Sequence, residues 1–336
     1  MCMGAGPPDI TIVVPTRNRC AWLMMALRSV LRQRHVSLEV IVVDEASTDD
    51  TAAAIAALHD SRVRVIHHDA PTGVSTARNR GAADARGEWI GFIDDDDVWA
   101  PDKIARQIDA ANRLGCEWTY TGSVNITADG RIMSGRPPLG PEDAVAALMH
   151  YNAIPGGGSN VILQRRTWGE VGLFETRLHN TEDWEMWLRL AKRGLPAFVC
   201  EPLVGYRVHS FNSSLNVAEI VRGARLIEAM HQTTVDWGRL HRWMAESCLR
   251  RGQRGAAIAE FARAIAWGDI RAVLGDLAGI YRRRLGRREV SGPPVATPGD
   301  PWISSAATWL NELHAEAGGG TLRCHRLSPV PGAMPR

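Results

Sequence analysis

The chain has 336 residues, and Lys+Arg 39 against Asp+Glu 37 leaves a formal net charge of only +2, which argues against nucleic acid as an obligatory partner of the whole chain. Any charge-driven function must therefore be local. A 45% hydrophobic and 23% charged composition excludes a collagen, a coiled coil and a wholly disordered chain, and the length predicts two domains, or one large domain with an appendage, around a sizeable core.

In chain order, Ile10 to Val14 reads as a strand, Ala21 to Leu31 as a helix, Glu39 to Val43 as a strand and Thr51 to Leu58 as a helix. Val63 to Ile66, Val74 to Ala85 and Trp89 to Ile93 then read as strand, helix and strand. Strands this apolar, separated by helices, predict an α/β fold with a doubly wound, mostly parallel sheet whose ligands sit beyond the carboxyl ends of its strands. From Pro101 follow a helix, a strand at Trp118 to Thr121 and a hairpin turning at Ala128-Asp129-Gly130. After a Pro/Gly-rich loop over Gly135 to Pro141 and an Ala-rich helix come the run Pro155 to Ser159 and a strand at Asn160 to Gln164. A helix at Glu182 to Lys192 and a last pair of strands around Ala197 to Val208 complete this half. The composition then turns to Arg and Ala at helical spacing, which places a boundary near residue 216. The expected organisation is an α/β domain over 1–215, a small all-α region over 216–288 and a Pro/Gly-rich mobile tail over 289–336, with one short helix at Ser304 to Ala315.

No stretch approaches ~18 consecutive apolar residues, so no transmembrane helix is expected. The opening MCMGAGPPD lacks the apolar run of a signal peptide, which makes a cytoplasmic protein the expectation. Cys2, Cys20, Cys116, Cys200, Cys248 and Cys324 lie far apart with no C-x-x-C pair. Neither a disulfide framework nor a zinc site is written here, and reduced, mostly buried thiols are expected.

The run Phe92-Ile93-Asp94-Asp95-Asp96-Asp97-Val98-Trp99 puts four acids directly after an apolar strand. Adjacent carboxylates at a buried strand end repel one another, and a hard divalent cation bound by oxygens is the usual remedy. Mg²⁺ or Mn²⁺, completing its shell with water and substrate phosphate, fits the pattern; a solvated acidic turn is the competing reading. An aspartyl phosphatase needs Asp-x-Asp-x-Thr, but Val98 holds the last position. No G-x-x-x-x-G-K occurs, nor a G-x-G-x-x-G after the first strand.

Val14-Pro15-Thr16-Arg17-Asn18-Arg19 and Val43-Asp44-Glu45-Ala46-Ser47-Thr48-Asp49 follow the first two strands, where a nucleotide could lie across both. Asp44 could accept a base N–H while the Pro15-Thr16-Arg17 turn grips base and ribose. Helix capping by Ser47, Thr48 or Asp49 is the competing role.

With these runs assembled, the sequence resembles a glycosyltransferase family 2 enzyme of the GT-A fold over roughly Asp9 to Ser214. VVPTRNR, VIVVDEASTDDT, the stretch Pro71 to Gly81 and FIDDDDVWAPDKI follow the family's order and spacing. The resemblance implies a nucleoside diphosphate sugar as donor, Mn²⁺ or Mg²⁺ as cofactor and inversion at the sugar. It implies that Asp44 contacts the nucleobase and that Pro15, Thr16, Arg17, Arg19 and Arg78 lie at the nucleotide. Asp94 and Asp96 would form an Asp-x-Asp metal motif, Asp96 being the direct ligand, with Asp95 and Asp97 left to ribose, sugar or supporting contacts. A uracil nucleotide is the family's commonest donor, with guanine and thymine open.

Thr181-Glu182-Asp183-Trp184 opens a helix, where the dipole favours ionised acids by ~0.3–1 kcal/mol. Its resemblance to the family's x-E-D motif makes Asp183 the candidate general base, against a capping role alone. Trp184, Trp187, Leu188 and Leu190 are expected to anchor that helix, though Trp184 could instead wall the acceptor site. Gly157 and Gly158 resemble the family's glycine-rich loop beside donor sugar and acceptor. His209 resembles its C-terminal His at metal or diphosphate, and Arg207 could neutralise a leaving diphosphate.

Trp243 to Ile265 resembles one tetratricopeptide-like hairpin, which could act as a lid or join a homodimer interface. Arg282 to Arg284, Arg287 and Arg288 could meet a polyanion or place the protein peripherally at the inner face of the membrane, unless they form only a solvated basic face. The acceptor is open among glycan, lipid-linked, peptide and small-molecule compounds. Two rival readings are a sugar-1-phosphate nucleotidyltransferase, whose basic glycine-rich signature is replaced by VVPTRNR, and a silent binding protein, which has no need of Asp94, Asp96 and Asp183 together.

Overall fold

The computed structural model describes residues 6–209, 216–250, 252–284, 296–297 and 299–319. Its first half alternates strand and helix as β1 (Ile10–Thr16), α1 (Cys20–Leu31), β2 (Leu38–Glu45), α2 (Thr51–Ala56), β3 (Val63–His68), α3 (Val74–Ala83) and β4 (Trp89–Phe92). These four strands are parallel in the order β3-β2-β1-β4. Along β1 the pleat sends Ile10, Ile12 and Val14 to the face packed by Leu23 and Leu27 of α1, and Val13 to the face packed by Ala77 of α3. Both faces are covered, which is why the strands read as unbroken apolar runs.

The second half comprises β5 (Val98–Trp99), α4 (Lys103–Leu114), β6 (Trp118–Ile126), β7 (Ile132–Arg136), α5 (Pro141–Leu148), a 3₁₀ turn (Gly157–Ser159), β8 (Ile162–Gln164), α6 (Arg165–Val171), α7 (Glu182–Arg193) and β9 (Ala197–Arg207). The sheet continues β4-β8-β6-β9-β5, with β8 antiparallel to both its neighbours, β9 parallel to β6, and β7 hairpinned onto β6 as expected. The sheet is therefore parallel in its doubly wound half and mixed beyond it. Ala197 to Arg207 is one strand rather than the expected pair. Pro202 looks like a strand break but sits where the β6–β9 register shifts, a bulge that tolerates its missing N–H.

The helical region follows as α8 (Val217–His231), α9 (Trp237–Arg250), α10 (Arg254–Ala266) and α11 (Ile270–Arg284). Ala224 and Ile227 of α8 enter the main core, while Ala245, Phe261, Ala264 and Val273 make a small core of their own. The mobile-tail expectation needs correcting for the next described stretch. α12 (Pro301–Gly319) is longer than the helix expected at Ser304 to Ala315, and it docks on the sheet. Ile303, Ala306, Trp309, Leu310 and Leu313 bury against Val98, Val124, Ile126 and Leu203, and Trp309 Nε1 donates to Pro202 O at 3.2 Å. Each such large apolar side chain contributes about 1.5–3 kcal/mol, enough to hold a helix that its Pro/Gly-rich flanks disguise. Of the tail, residues 289–295, 298 and 320–336 lie outside the described residues, as do Ser210 to Leu215, Arg287, Arg288, Cys2 and Cys324; Cys20 and Cys248 are buried, and Cys200 is exposed.

Candidate active site

Asp94 to Asp97 follow β4 at the carboxyl end of the parallel strands, and each carboxylate has its own surroundings. Asp94 Oδ1 accepts from Arg78 Nη2 at 2.6 Å. Asp95 accepts from Thr16 Oγ1 at 2.8 Å and Arg19 Nη1 at 3.0 Å. Asp96 Oδ2 lies 2.8 Å from Arg19 Nη1 and 2.9 Å from His209 Nε2, whose ring stacks on Trp22 at 4.2 Å. Asp97 accepts from Ser159 Oγ at 2.6 Å and from the Arg207 N–H at 2.8 Å. Burial, with Asp96 alongside, pushes Asp95 up to about 7. Burial and the neighbouring Asp96 and Asp94 push Asp97 well above the carboxylate range. Burial also works against the Asp96 charge, yet the His209 hydrogen bond and Arg19 hold it below its ordinary value.

One oxygen each of Asp94, Asp96 and Asp97 lies within 4.8 Å of the others. Three hard oxygen donors this close together, on acids that otherwise repel one another, suit a divalent cation. This differs from the expected Asp94, Asp96 and His209 set: Asp97 joins the cluster, and His209 adjoins Asp96. Sequence order hid this, because a strand end turned back by β5 lets four consecutive acids diverge.

Arg207 also departs from expectation. It is 2% exposed, and its guanidinium donates to Asp96 O at 2.7 Å, Ala128 O at 2.8 Å and Thr127 O at 3.2 Å. It staples the β6–β7 turn to the acidic loop and so faces backbone rather than a diphosphate.

At the β1 and β2 ends, Thr16 pairs in register with Asp44, and Asp44 with His67. Pro15 is buried inside the sheet and Thr16 ties down Asp95, which leaves Arg17 as the exposed member of that turn. Asp44 accepts from the Ser47 N–H at 3.1 Å and lies 3.2 Å from His67 Nδ1. His67 had no motif to announce it. Asn18, at φ 53°, accepts from the Thr48 N–H at 2.7 Å and so binds the two loops together. Asp49 Oδ1 accepts from the Thr51 N–H at 3.1 Å, a turn just ahead of α2, whose N-cap, Asp50, makes no side-chain capping bond.

Asp183 lies at the start of α7, its Oδ1 accepting from the Trp184 N–H at 2.7 Å and its Oδ2 from Asn152 Nδ2 at 3.1 Å. Burial, with Glu182 adjacent, raises it to about 7, against the pull of Arg78. Trp184, Trp187, Leu188 and Leu190 are buried anchors, and Trp184 Nε1 donates to Leu148 O at 2.8 Å. Arg78 reaches Glu182 Oε1 at 2.9 Å as well as Asp94, and lies over the Phe174 ring at 5.3 Å. Burial disfavours its charge, but Asp94 and Glu182 raise its proton affinity beyond the ordinary.

The glycine run closes the arrangement. A Cβ on Gly158 would stand 2.5 Å from Arg78 Nη2, and one on Gly157, at φ 55°, would stand 3.3 Å from Asp183 Oδ2. Only hydrogen fits comfortably at Gly158. Asn160 pins this run to β6 through the Thr121 N–H and Thr121 O, each at 2.7 Å. Beneath it the buried Lys103 Nζ donates to Asn160 O at 3.0 Å and Gln107 Oε1 at 2.7 Å, with burial holding its proton affinity well below a surface lysine's. A single guanidinium thus touches both acid groups, and one loop joins the acidic cluster, through Ser159, to Asp183. Asn152, Lys103 and Asn160 carry no spacing signal and emerge only from the fold.

Residues 11–166 match the model of the family described as glycosyl transferase family 2. Through this segment the chain belongs to glycosyltransferase family 2. Among curated relatives, succinoglycan biosynthesis protein ExoO of Rhizobium meliloti (strain 1021) is 40% identical over 126 residues, which is 38% of this chain and 36% of that protein. The chain therefore spans about a third of that relative's length. The UDP-Glc:alpha-D-GlcNAc-diphosphoundecaprenol beta-1,3-glucosyltransferase WfaP of Escherichia coli is 28% identical over 223 residues, 66% of this chain and 86% of that one. Among solved structures, S. aureus TarS 1–349 in complex with UDP-GlcNAc superposes with a TM-score of 0.56 at 14% identity, covering 88% of this chain and 98% of that chain. The fold of this family 2 member is accordingly the GT-A glycosyltransferase fold.

Proposed function

We propose that the chain transfers a sugar from a nucleoside diphosphate, a UDP-sugar, to an acceptor hydroxyl with inversion, dependent on a divalent cation. The observation that carries this reading is the Arg78 bridge between Asp94, at 2.6 Å, and Glu182, at 2.9 Å, beside the glycine run. It brings the acidic cluster and Asp183 to one site. Asp94, Asp96 and Asp97 would hold Mn²⁺ or Mg²⁺, whose charge would stabilise the departing diphosphate. Asp44 and Arg17 are assigned to the nucleotide, and Arg19 and His209 to fixing the ionised Asp96. Thr16 and Arg78 act on Asp95 and on Asp94 and Glu182 respectively. Asp183 Oδ2, steadied by Asn152, takes the proton of the attacking hydroxyl as the new C1–O bond forms and the C1–O–phosphate bond breaks. Gly157 and Gly158 give room for donor sugar and acceptor. The activity named for WfaP, on a diphosphoundecaprenol-linked sugar, supports a lipid-linked glycan as the acceptor class. The catalytic unit is assigned to residues 9–209 together with α12.

The experiment is a coupled assay of the full chain with a panel of nucleotide sugars and lipid-linked acceptors, with Mn²⁺, Mg²⁺ or EDTA. Release of nucleoside diphosphate, abolished by EDTA and by Asp96→Asn, is the expected outcome. Release of pyrophosphate instead, or no loss in EDTA, overturns the reading.

A further inference from the structure

The far end of the helical region carries a surface that the catalytic site does not use. α8 and the following loop are tied to the catalytic unit: Thr233 Oγ1 donates to Met149 O at 2.5 Å and the Asp236 N–H to His150 O at 2.9 Å, just before Asn152. Beyond this anchor, Ile258 (70%), Ile265, Trp267 (61%), Ile270, Leu274 and Leu277 are all exposed. Ile270, Leu274 and Leu277 fall at i, i+4 and i+7 of α11, and Ile258 and Ile265 seven apart on α10, so each helix shows one apolar stripe. Trp267, in the turn joining the two helices, stacks on Trp237 at 6.0 Å. Scattered exposed aliphatics need no explanation, but paired stripes on adjoining helices mark a contact surface.

Charge indicates what it contacts. Residues 254–284 contain six arginines and three acids. All three acids are engaged by neighbours: Glu260 lies 2.7 Å from His241 Nδ1, while Asp269 and Asp276 accept from Arg242 at 2.6 and 3.0 Å. Arg254 and Arg271 are exposed and enter no ion pair among the described residues. We propose that the α10–α11 face docks on an anionic lipid membrane. Its aliphatic residues and Trp267 enter the interfacial region while the arginines meet lipid phosphates. A second copy meeting this face head-on would oppose like charges. No described helix is long and apolar enough to cross a membrane, so the contact is a lateral one.

The test is flotation of the full chain with vesicles of phosphatidylcholine alone or with about 30% phosphatidylglycerol, at low and high salt, a readout independent of sugar transfer. Binding to the anionic vesicles only, weakened by salt and reduced about tenfold or more by Ile258→Glu or Leu274→Glu, is expected. Thermal melting checks that the variants fold; the double variant Arg254→Gln/Arg271→Gln serves as a second probe and should also bind more weakly. The proposal is overturned by absent binding to anionic vesicles, or by binding that these variants leave unchanged. A concentration-dependent dimer in sedimentation velocity that the same substitutions dissolve would overturn it in favour of a second copy.

Discussion

Asp183 is raised by burial and Glu182 and drawn down by Arg78, so that its proton affinity falls near neutrality, at about 7. A base must be ionised to work, so kcat/KM should rise with pH along an acid limb near 7 and flatten above it. Asp183→Asn should lower turnover by about 10²–10⁴ with little change in melting temperature; near-normal transfer would remove it from the reaction. At Gly158 the added methyl of Gly158→Ala would press on Arg78 Nη2, 2.5 Å away. The displaced guanidinium would release Asp94, so turnover should fall while a urea titration shows only a modest stability loss. The identities of these residues were legible from their motifs. Their partners were not, because Asn152 and Asp183 are joined by folding rather than by spacing.

At the scale of elements, β9 serves as a clamp. Its last residue, Arg207, answers three backbone carbonyls, and Arg207→Gln would leave buried acceptors unpaired. The expected cost is about 1–3 kcal/mol in urea unfolding, with a weaker apparent cation affinity because Asp96 is one of the stapled residues. α12 is the second clamp. Trp309→Ala empties a site bounded by β9 and α1-side residues and should cost about 3–5 kcal/mol, and a variant with unaltered unfolding would contradict the docking. The motif-rich strands were readable because period and apolar runs are local properties. α12 was underestimated because its partners, Val124, Ile126 and Leu203, lie more than a hundred residues earlier.

For the molecule as a whole, the acidic cluster sets how stability responds to pH and cations. Asp95, Asp97 and Asp183 bind protons more tightly folded than unfolded. Between the unfolded carboxylate range and about 7 the folded chain holds more protons, so these groups stabilise at low pH and that contribution is lost as pH rises. Mn²⁺, which competes with the Asp97 proton for the cluster of Asp94, Asp96 and Asp97, should raise the melting temperature more at pH 8 than at pH 5.5, and more still with UDP present. Equal shifts at both pH values would show that the cation binds elsewhere.

The amino-acid order alone determined that parallel strands end in an acidic loop, that an Asp opens a later helix, and that glycines intervene, since each is written within a few residues. Tertiary structure decided which oxygens face one another: Asp97 rather than His209 completing the carboxylate cluster, Arg207 turned to backbone, and Arg78 joining two acids 88 positions apart in numbering, Asp94 and Glu182. Side-chain direction at a strand end depends on packing and burial summed over distant segments, and no local pattern encodes that sum.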